Sequence, residues 1–150
     1  MKIKTSELEG AALDWAVAQS SKAWEFGHSL HPAMTLDPTF KSVCIRPYPR
    51  GEFGALVDTC VLLPRNSMRQ DPLPFCPSSD WSHCGPIIEK MDVQVRINDW
   101  PNEVKWLGIA RSADRMVMVC QKGTTPLIAA CRAIVAAKLG DDVDVPEDLI

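Results

Sequence analysis

The chain of 150 residues lacks three features that would place it in a common functional class. No apolar run approaches the ~18 residues that a membrane-spanning helix needs, which argues against a membrane protein. Lysine and arginine form no cluster and the net charge is −3, so the composition argues against nucleic-acid binding through the phosphates. The first ten residues hold no apolar signal-peptide core, so we expect a protein of a reducing compartment.

The six cysteines of the chain, at positions 44, 60, 76, 84, 120 and 131, invite a disulfide interpretation because their number is even. Their irregular spacing and the missing export signal favour free thiols instead. Cys131 falls within a predicted helix and Cys120 ends an apolar run, positions where a free cysteine behaves as a small hydrophobic residue. We therefore predict six free thiols, with Cys120 and Cys131 buried.

The N-terminal part of the chain predicts a helix over about 7–22. Ser6 and Glu9 have the spacing of a capping box, in which the hydroxyl and the carboxylate satisfy free backbone N–H groups reciprocally. Apolar residues then recur at helical spacing from Leu8 to Trp15, with Asp14 expected to face away from them.

A second helix is predicted over 126–139. Thr125 is a natural N-cap, Pro126 suits the first helical position, and Gly140 suits the residue that follows the helix. Residues 64–86 are rich in proline and are predicted to be a loop.

Short apolar or alternating segments predict the strands. They lie near 43–45, 55–63, 87–88, 93–97, 104–110 and 115–120. Turn-length links between them favour antiparallel pairing. The predicted fold is therefore α+β: a single domain over 1–150, with an antiparallel or mixed sheet of about four to six strands and the two helices packed on it.

Two patterns resemble metal sites, and both are incomplete. His28 and His31 have the i, i+3 spacing of a helical pair, but the proline after His31 disfavours a helix there. Cys76, His83 and Cys84 could ligate zinc, but their spacing matches no familiar motif and no fourth ligand is evident. We predict no metal and no cofactor.

Residues 75–89, FCPSSDWSHCGPIIE, hold the densest set of reactive side chains. One hypothesis is a small hydrolase or transferase that uses Cys84 or Asp80 with His83 as the base. The plainer interpretation is a structural loop, in which Asp80 caps a turn and Trp81 packs into the core.

A ligand site is predicted where residues 77–89 approach the start of the last helix. Asp80 and Trp81 would supply one polar and one flat apolar contact, and Thr124 and Thr125 would supply hydroxyls beside a helix N-terminus. The rival interpretation is that Asp80 and Thr125 only satisfy local backbone amides.

Three stretches of the chain together resemble the NinX-like family of tailed-phage and prophage proteins. They are MKIKTSELEGAALDWAVA (1–18), PSSDWSHCGPIIE (77–89) and GTTPLIAACRAIVAAKLGDDVDVPEDL (123–149). The chain departs from the family's Gly-Gly-Pro at Cys84 and from its Gly-Pro-Thr-Pro at Thr124. The resemblance implies a small phage accessory protein of the bacterial cytoplasm; no functional residue follows from it, because the family has no established activity.

Together these observations favour a non-catalytic binding protein over the enzyme hypothesis. Its partner would be a host protein, a phage protein or a small ligand, with neither a membrane nor nucleic acid involved. Homo-oligomerisation stays open at this stage, because no sequence pattern decides it.

Overall fold

The computed structural model describes residues 1–30, 40–66, 71–98, 106–112, 114 and 116–147. Within these ranges the chain forms four α-helices and eight β-strands, which confirms the α+β class. The helices are α1 (Gly10–Ser21), α2 (Ala23–Phe26), α3 (Trp81–Lys90) and α4 (Pro126–Leu139). The strands are β1 (Lys2–Lys4), β2 (Phe40–Pro49), β3 (Leu56–Pro64), β4 (Leu73–Pro74), β5 (Gln94–Ile97), β6 (Trp106–Arg111), β7 (Met118–Gly123) and β8 (Asp142–Asp144).

The strands are divided among three small antiparallel sheets, rather than joined in the one sheet of four to six strands that we expected. The sheet orders are β1–β8, β2–β3–β4 and β5–β6–β7. Each three-stranded sheet consists of strands that follow one another along the chain. In the sequence, α3 comes after the strands of the first of these sheets and before those of the second. The pair β1–β8 joins the two ends of the chain, with Ile3 opposite Val143.

Helix α4 is the most buried element, and its predicted bounds of 126–139 are confirmed. The Thr125 hydroxyl accepts a hydrogen bond from the Ile128 N–H at 3.1 Å, and Pro126 occupies the first turn. Ten residues of the helix are buried, including Arg132. An amphipathic surface helix would keep one polar face in water, so α4 is an interior helix with elements packed around most of its circumference.

Two glycines let β6 and β7 approach α4 closely. A Cβ atom on Gly108 would lie 2.2 Å from the carbonyl oxygen of Ala129, and one on Gly123 would lie 2.3 Å from the Ala129 nitrogen. Real side chains do not reach such distances, so these strands can pack on α4 only because both positions are glycine.

Helix α1 begins at Gly10, three residues later than predicted. Ser6 lies in a 3-10 turn over Thr5–Glu7, and Gly10 has a φ of 53°. The predicted capping box does not form: Glu9 is the N-cap and makes no side-chain capping bond. The Glu9 carboxylate instead meets the Arg132 guanidinium, with Oε1 and Nη2 3.4 Å apart.

Strand β2 extends well beyond the predicted segment of 43–45, through Pro47 to Pro49. Prolines were expected to stop the strand because they lack the N–H that a ladder needs. In the order β2–β3–β4 the strand β2 lies at an edge, so it pairs with β3 alone and tolerates proline.

Helix α3 corrects the sequence prediction most strongly. Residues 81–86 were expected in a loop and 87–88 in a strand, yet one helix spans them all, with Pro86 inside it. The helix buries His83, Cys84 and Ile87, which share one face at helical spacing. The proline content concealed this period, because proline usually ends a helix.

All six cysteines are free thiols, as predicted. Cys131 is buried, but Cys120 is exposed and corrects our expectation. The side chains of β7 alternate in exposure, and the register turns Cys120 outward between half-buried Val119 and Gln121. In the described part of the chain, no helix is long and apolar enough to cross a membrane.

Candidate functional site

Asp80 and Trp81 lie where α3 begins. The Asp80 carboxylate is the helix cap: Oδ1 accepts from the Ser82 N–H at 2.9 Å and from the Ser82 hydroxyl at 2.6 Å. The hydroxyl bond is the main reason that the pKa of Asp80 lies below its usual value. Trp81 is 56% exposed, which meets a condition of the ligand-site prediction and contradicts the structural-loop interpretation that packs it into the core.

Thr124 and Thr125 lie where α4 begins, and both are exposed. The Thr125 hydroxyl is engaged as the cap of α4. The structure thus places all four predicted site residues at the N-terminal ends of two helices, and two of them serve as caps. That they form a common ligand site stays a prediction.

A buried polar cluster that the sequence did not reveal lies between α1 and the turn before α3. Asp14, expected to face away from the apolar side of α1, is only 5% exposed. Its Oδ1 accepts from the Ser78 N–H at 2.8 Å. Burial raises the pKa of Asp14 from 3.8 to about 6, against the opposing effects of Ser78 and the Arg50 charge. The apolar pattern from Leu8 to Trp15 held no signal of this burial, because it placed Asp14 away from the apolar side of the helix.

The same turn holds Cys76, whose sulfur accepts a hydrogen bond from the Arg50 guanidinium. Despite this cation, burial raises the pKa of Cys76 to about 12. The side chain is therefore a neutral thiol at physiological pH and has little nucleophilic character. Arg50 follows β2 directly, so a contact between positions distant in the chain builds this part of the cluster.

His83 is fixed by its neighbours on three sides. Its Nδ1 accepts from the Cys76 N–H at 2.9 Å, so in the neutral ring the proton sits on Nε2. Nε2 lies 3.8 Å from Asp80 Oδ2. The ring stacks on Phe75 with a centroid distance of 5.9 Å and an interplanar angle of 5°. These contacts give His83 a structural part in holding the turn against α3.

The enzyme hypothesis used Cys84 or Asp80 with His83, and its Cys84 form required an accessible thiol close to a free base. Cys84 is fully buried, and its Sγ lies 3.8 Å from Cys131 Sγ on α4. The contact with Cys84, together with burial, raises the pKa of Cys131 well above its usual value. The Nδ1 of His83 is already engaged by a backbone N–H. A substrate cannot reach Cys84 in this arrangement, so the cluster resembles a packed interior more than a catalytic centre.

The zinc interpretation of Cys76, His83 and Cys84 gains no support. Over the ranges that the structure describes, no group of three or more histidine, cysteine, aspartate or glutamate residues could hold a metal ion. Of the histidine pair, His31 lies outside the described residues, as does the side chain of His28.

A pocket of about 390 Å³ lies where the C-terminal ends of α1, α3 and α4 meet. Its floor is apolar: Ile87 is buried, and Phe26 and Met91 are half-buried against the main core. The volume is at the lower end of the range for small-molecule sites. None of the four predicted site residues lines this pocket.

Charged side chains surround the floor of the pocket. Among the described residues that line the pocket, Lys22, Lys90 and Lys138 are exposed on its rim, together with one acidic residue, Glu25. The Lys90 ammonium lies 5.6 Å from the centroid of the Phe26 ring, within the range of a cation–π interaction. Each lysine stands at the end of a different helix, so the sequence alone could not bring them together.

The pocket also has two hydroxyl groups, on Ser20 and Ser21. Each donates its hydrogen to the carbonyl one turn earlier in α1, Ser20 to Ala16 and Ser21 to Val17, both at 2.7 Å. Their oxygen lone pairs remain as acceptors. The serines can therefore receive hydrogen bonds from a ligand but do not offer donors to it.

The fold and the pocket define a small α+β protein with three antiparallel sheets, an interior helix and an amphipathic cavity at the ends of its helices. The chain belongs to the bacteriophage P22 NinX family, whose profile matches residues 4–138. This confirms the predicted phage family, and the match includes every residue of the pocket. A comparison with curated proteins finds no match.

Proposed function

We propose that this phage protein works by binding, without catalysis, and that its ligand occupies the pocket between α1, α3 and α4. The proposal rests on one observation: an open cavity with an apolar floor and a charged rim. Sites for small molecules combine these features, since apolar surface supplies affinity and a few polar groups supply orientation.

The chemistry of the buried cluster supports binding over catalysis. A nucleophile must be reachable and activated, whereas Cys84 is fully buried and Cys76 is held neutral by a pKa of about 12. His83 has its Nδ1 engaged by backbone. These groups satisfy one another, as buried polar networks in protein interiors do.

The pocket is a better candidate site than the predicted set of Asp80, Trp81, Thr124 and Thr125. Two of those residues already use their side-chain oxygens as helix caps. Trp81 is exposed and remains available for a flat ligand or a protein partner. We retain it as the second candidate, because an exposed aromatic side chain is a common anchor at interfaces.

The cellular setting follows from the family. A phage accessory protein that binds a host protein, a phage protein or a small molecule would act in the cytoplasm of the infected bacterium, where the six free thiols stay reduced. The net charge of −3 argues against nucleic acid as the ligand.

A thermal-shift screen of small metabolites tests the proposal and distinguishes the two sites. A ligand at about a hundred times its Kd should raise the Tm by roughly 5–10 °C for a chain of this length. Met91→Trp, which narrows the pocket, should reduce the shift, and Trp81→Ala should leave it unchanged. The reverse result would assign binding to the second site. If no compound shifts the Tm of the wild-type protein, the small-ligand proposal fails.

A further inference from the structure

We infer that the pocket selects a small organic anion: one carboxylate, sulfonate or phosphate group attached to an apolar ring system. This inference rests on the proposed function and specifies its ligand. The anionic group would meet Lys22, Lys90 and Lys138, and the apolar body would lie on Phe26, Ile87 and Met91.

The charge around the pocket is the first feature that favours an anionic ligand. Three lysines and one glutamate line it, which leaves a local excess of positive charge on a chain whose net charge is −3. Among the described residues, none of these lysines forms an ion pair with a carboxylate. Their charges are therefore available to an incoming anion, and an anion would also offset their mutual repulsion.

Helix ends provide a separate reason for lysine at these positions. Lys90 and Lys138 lie in the last turns of α3 and α4, where a cation complements the partial negative charge of the terminal carbonyls. That reason explains Lys90 and Lys138 one at a time and does not apply to Lys22. It does not explain why three helix ends meet over one apolar floor, which places three lysines around a shared cavity.

The floor determines the rest of the ligand. The Lys90 ammonium lies 5.6 Å from the centroid of the Phe26 ring, so a cation stands beside the apolar lining. A ring-bearing ligand can rest on that lining while its anionic group pairs with the ammonium. The hydroxyls of Ser20 and Ser21 donate within α1 and can only accept from the ligand. Lysines are thus the donors that face an anion, and serines would receive any N–H or O–H of the ligand.

Two fluorescent probes with the same ring system test this selectivity on the full chain. The anionic probe is 8-anilinonaphthalene-1-sulfonate, and the neutral one is N-phenyl-1-naphthylamine. The triple variant Lys22→Gln, Lys90→Gln, Lys138→Gln should weaken the affinity for the anionic probe about tenfold, because each exposed charge pair contributes modestly to binding. The affinity for the neutral probe should stay unchanged. A control triple variant with the same change in net charge, Lys2→Gln, Lys4→Gln, Lys41→Gln, should alter neither.

A variant of opposite sign tests the same idea. Glu25→Gln removes the one carboxylate of the pocket and should strengthen binding of the anionic probe about twofold to fivefold. Met91→Trp narrows the pocket and should weaken the binding of both probes. Unchanged binding of both would place the probes elsewhere and overturn the inference.

The remaining outcomes separate the inference from the proposed function. If both probes bind with equal affinity and the triple lysine variant changes neither, the pocket binds apolar ligands without selecting an anion: the inference fails and the proposed function stands. If neither probe binds to the wild-type protein, the pocket is not a small-molecule site, and the proposed function fails with the inference.

Discussion

Replacing Asp14 by asparagine should stabilise the protein at neutral pH and leave its stability near pH 4 almost unchanged. The Asp14 carboxyl is buried, which raises its pKa from 3.8 to about 6 in the folded protein. Between these two pH values the folded protein holds a proton that the unfolded chain has released. Stability therefore falls as the pH rises through this window, because the charged form is the one that burial penalises.

The size of the effect follows from the two pKa values. Their difference, from 3.8 to about 6, corresponds to about 3 kcal/mol at about 1.4 kcal/mol per pH unit. Asparagine has nearly the same shape, and its carbonyl oxygen can accept the Ser78 N–H bond that Asp14 Oδ1 accepts at 2.8 Å. The free energy of unfolding of Asp14→Asn should thus exceed that of the wild type by about 3 kcal/mol above pH 7, and by little at pH 4.

Urea unfolding at pH 4, 5, 6 and 8 measures this difference directly. A gain of about 3 kcal/mol should move the midpoint by roughly 1–2 M urea at pH 8. Asp58→Asn, at an exposed position on β3, is the matched control and should show no such trend. A gain that is the same at every pH, or a loss at pH 8, would refute the assignment of Asp14 as a buried carboxyl with a raised pKa.

Three further predictions concern packing and thiols. Arg132→Met should lower the free energy of unfolding by about 3 kcal/mol in chemical denaturation. It removes guanidinium bonds to the buried Leu8 carbonyl at 3.1 Å and to the partly buried Lys122 carbonyl at 3.0 Å. Gly108→Ala should lower the free energy of unfolding by about 2 kcal/mol or more, because the added Cβ would meet α4. Gly85→Ala has open space around the added Cβ and should be neutral or stabilising by up to about 1 kcal/mol. Thermal unfolding of the two variants measures the difference. Thiol titration should find Cys120 reactive in the folded protein. After unfolding without reductant it should find six thiols, and a count of two thiols or fewer would contradict the free-thiol assignment.

Local sequence signals predicted the elements whose formation depends little on contacts with distant parts of the chain. The bounds of the last helix were predicted because Thr125 caps it, Pro126 starts it and Gly140 ends it. Each of these features acts within one turn of a helix end. The α+β class and the antiparallel pairing followed from alternating strands with short links. Three quoted stretches were enough to identify the family.

Where local signals conflicted, tertiary packing decided. The prolines before and within α3 predicted a loop, yet His83, Cys84 and Ile87 are buried together on one face of a helix. Burial of that face against α4 outweighs the one backbone hydrogen bond that Pro86 cannot make. In the same way, the position of β2 at a sheet edge made its prolines harmless.

The candidate site depends most on the tertiary structure. Asp14 and Arg50 reach the turn at Cys76 from distant parts of the chain, and no spacing in the sequence links them. Lys90 and Lys138 have a local reason to stand at a helix end, and only the packing of α1, α3 and α4 brings them around one cavity with Lys22. Sequence periodicity determines which face of a helix is buried, whereas the convergence of helix ends is set by how those faces pack.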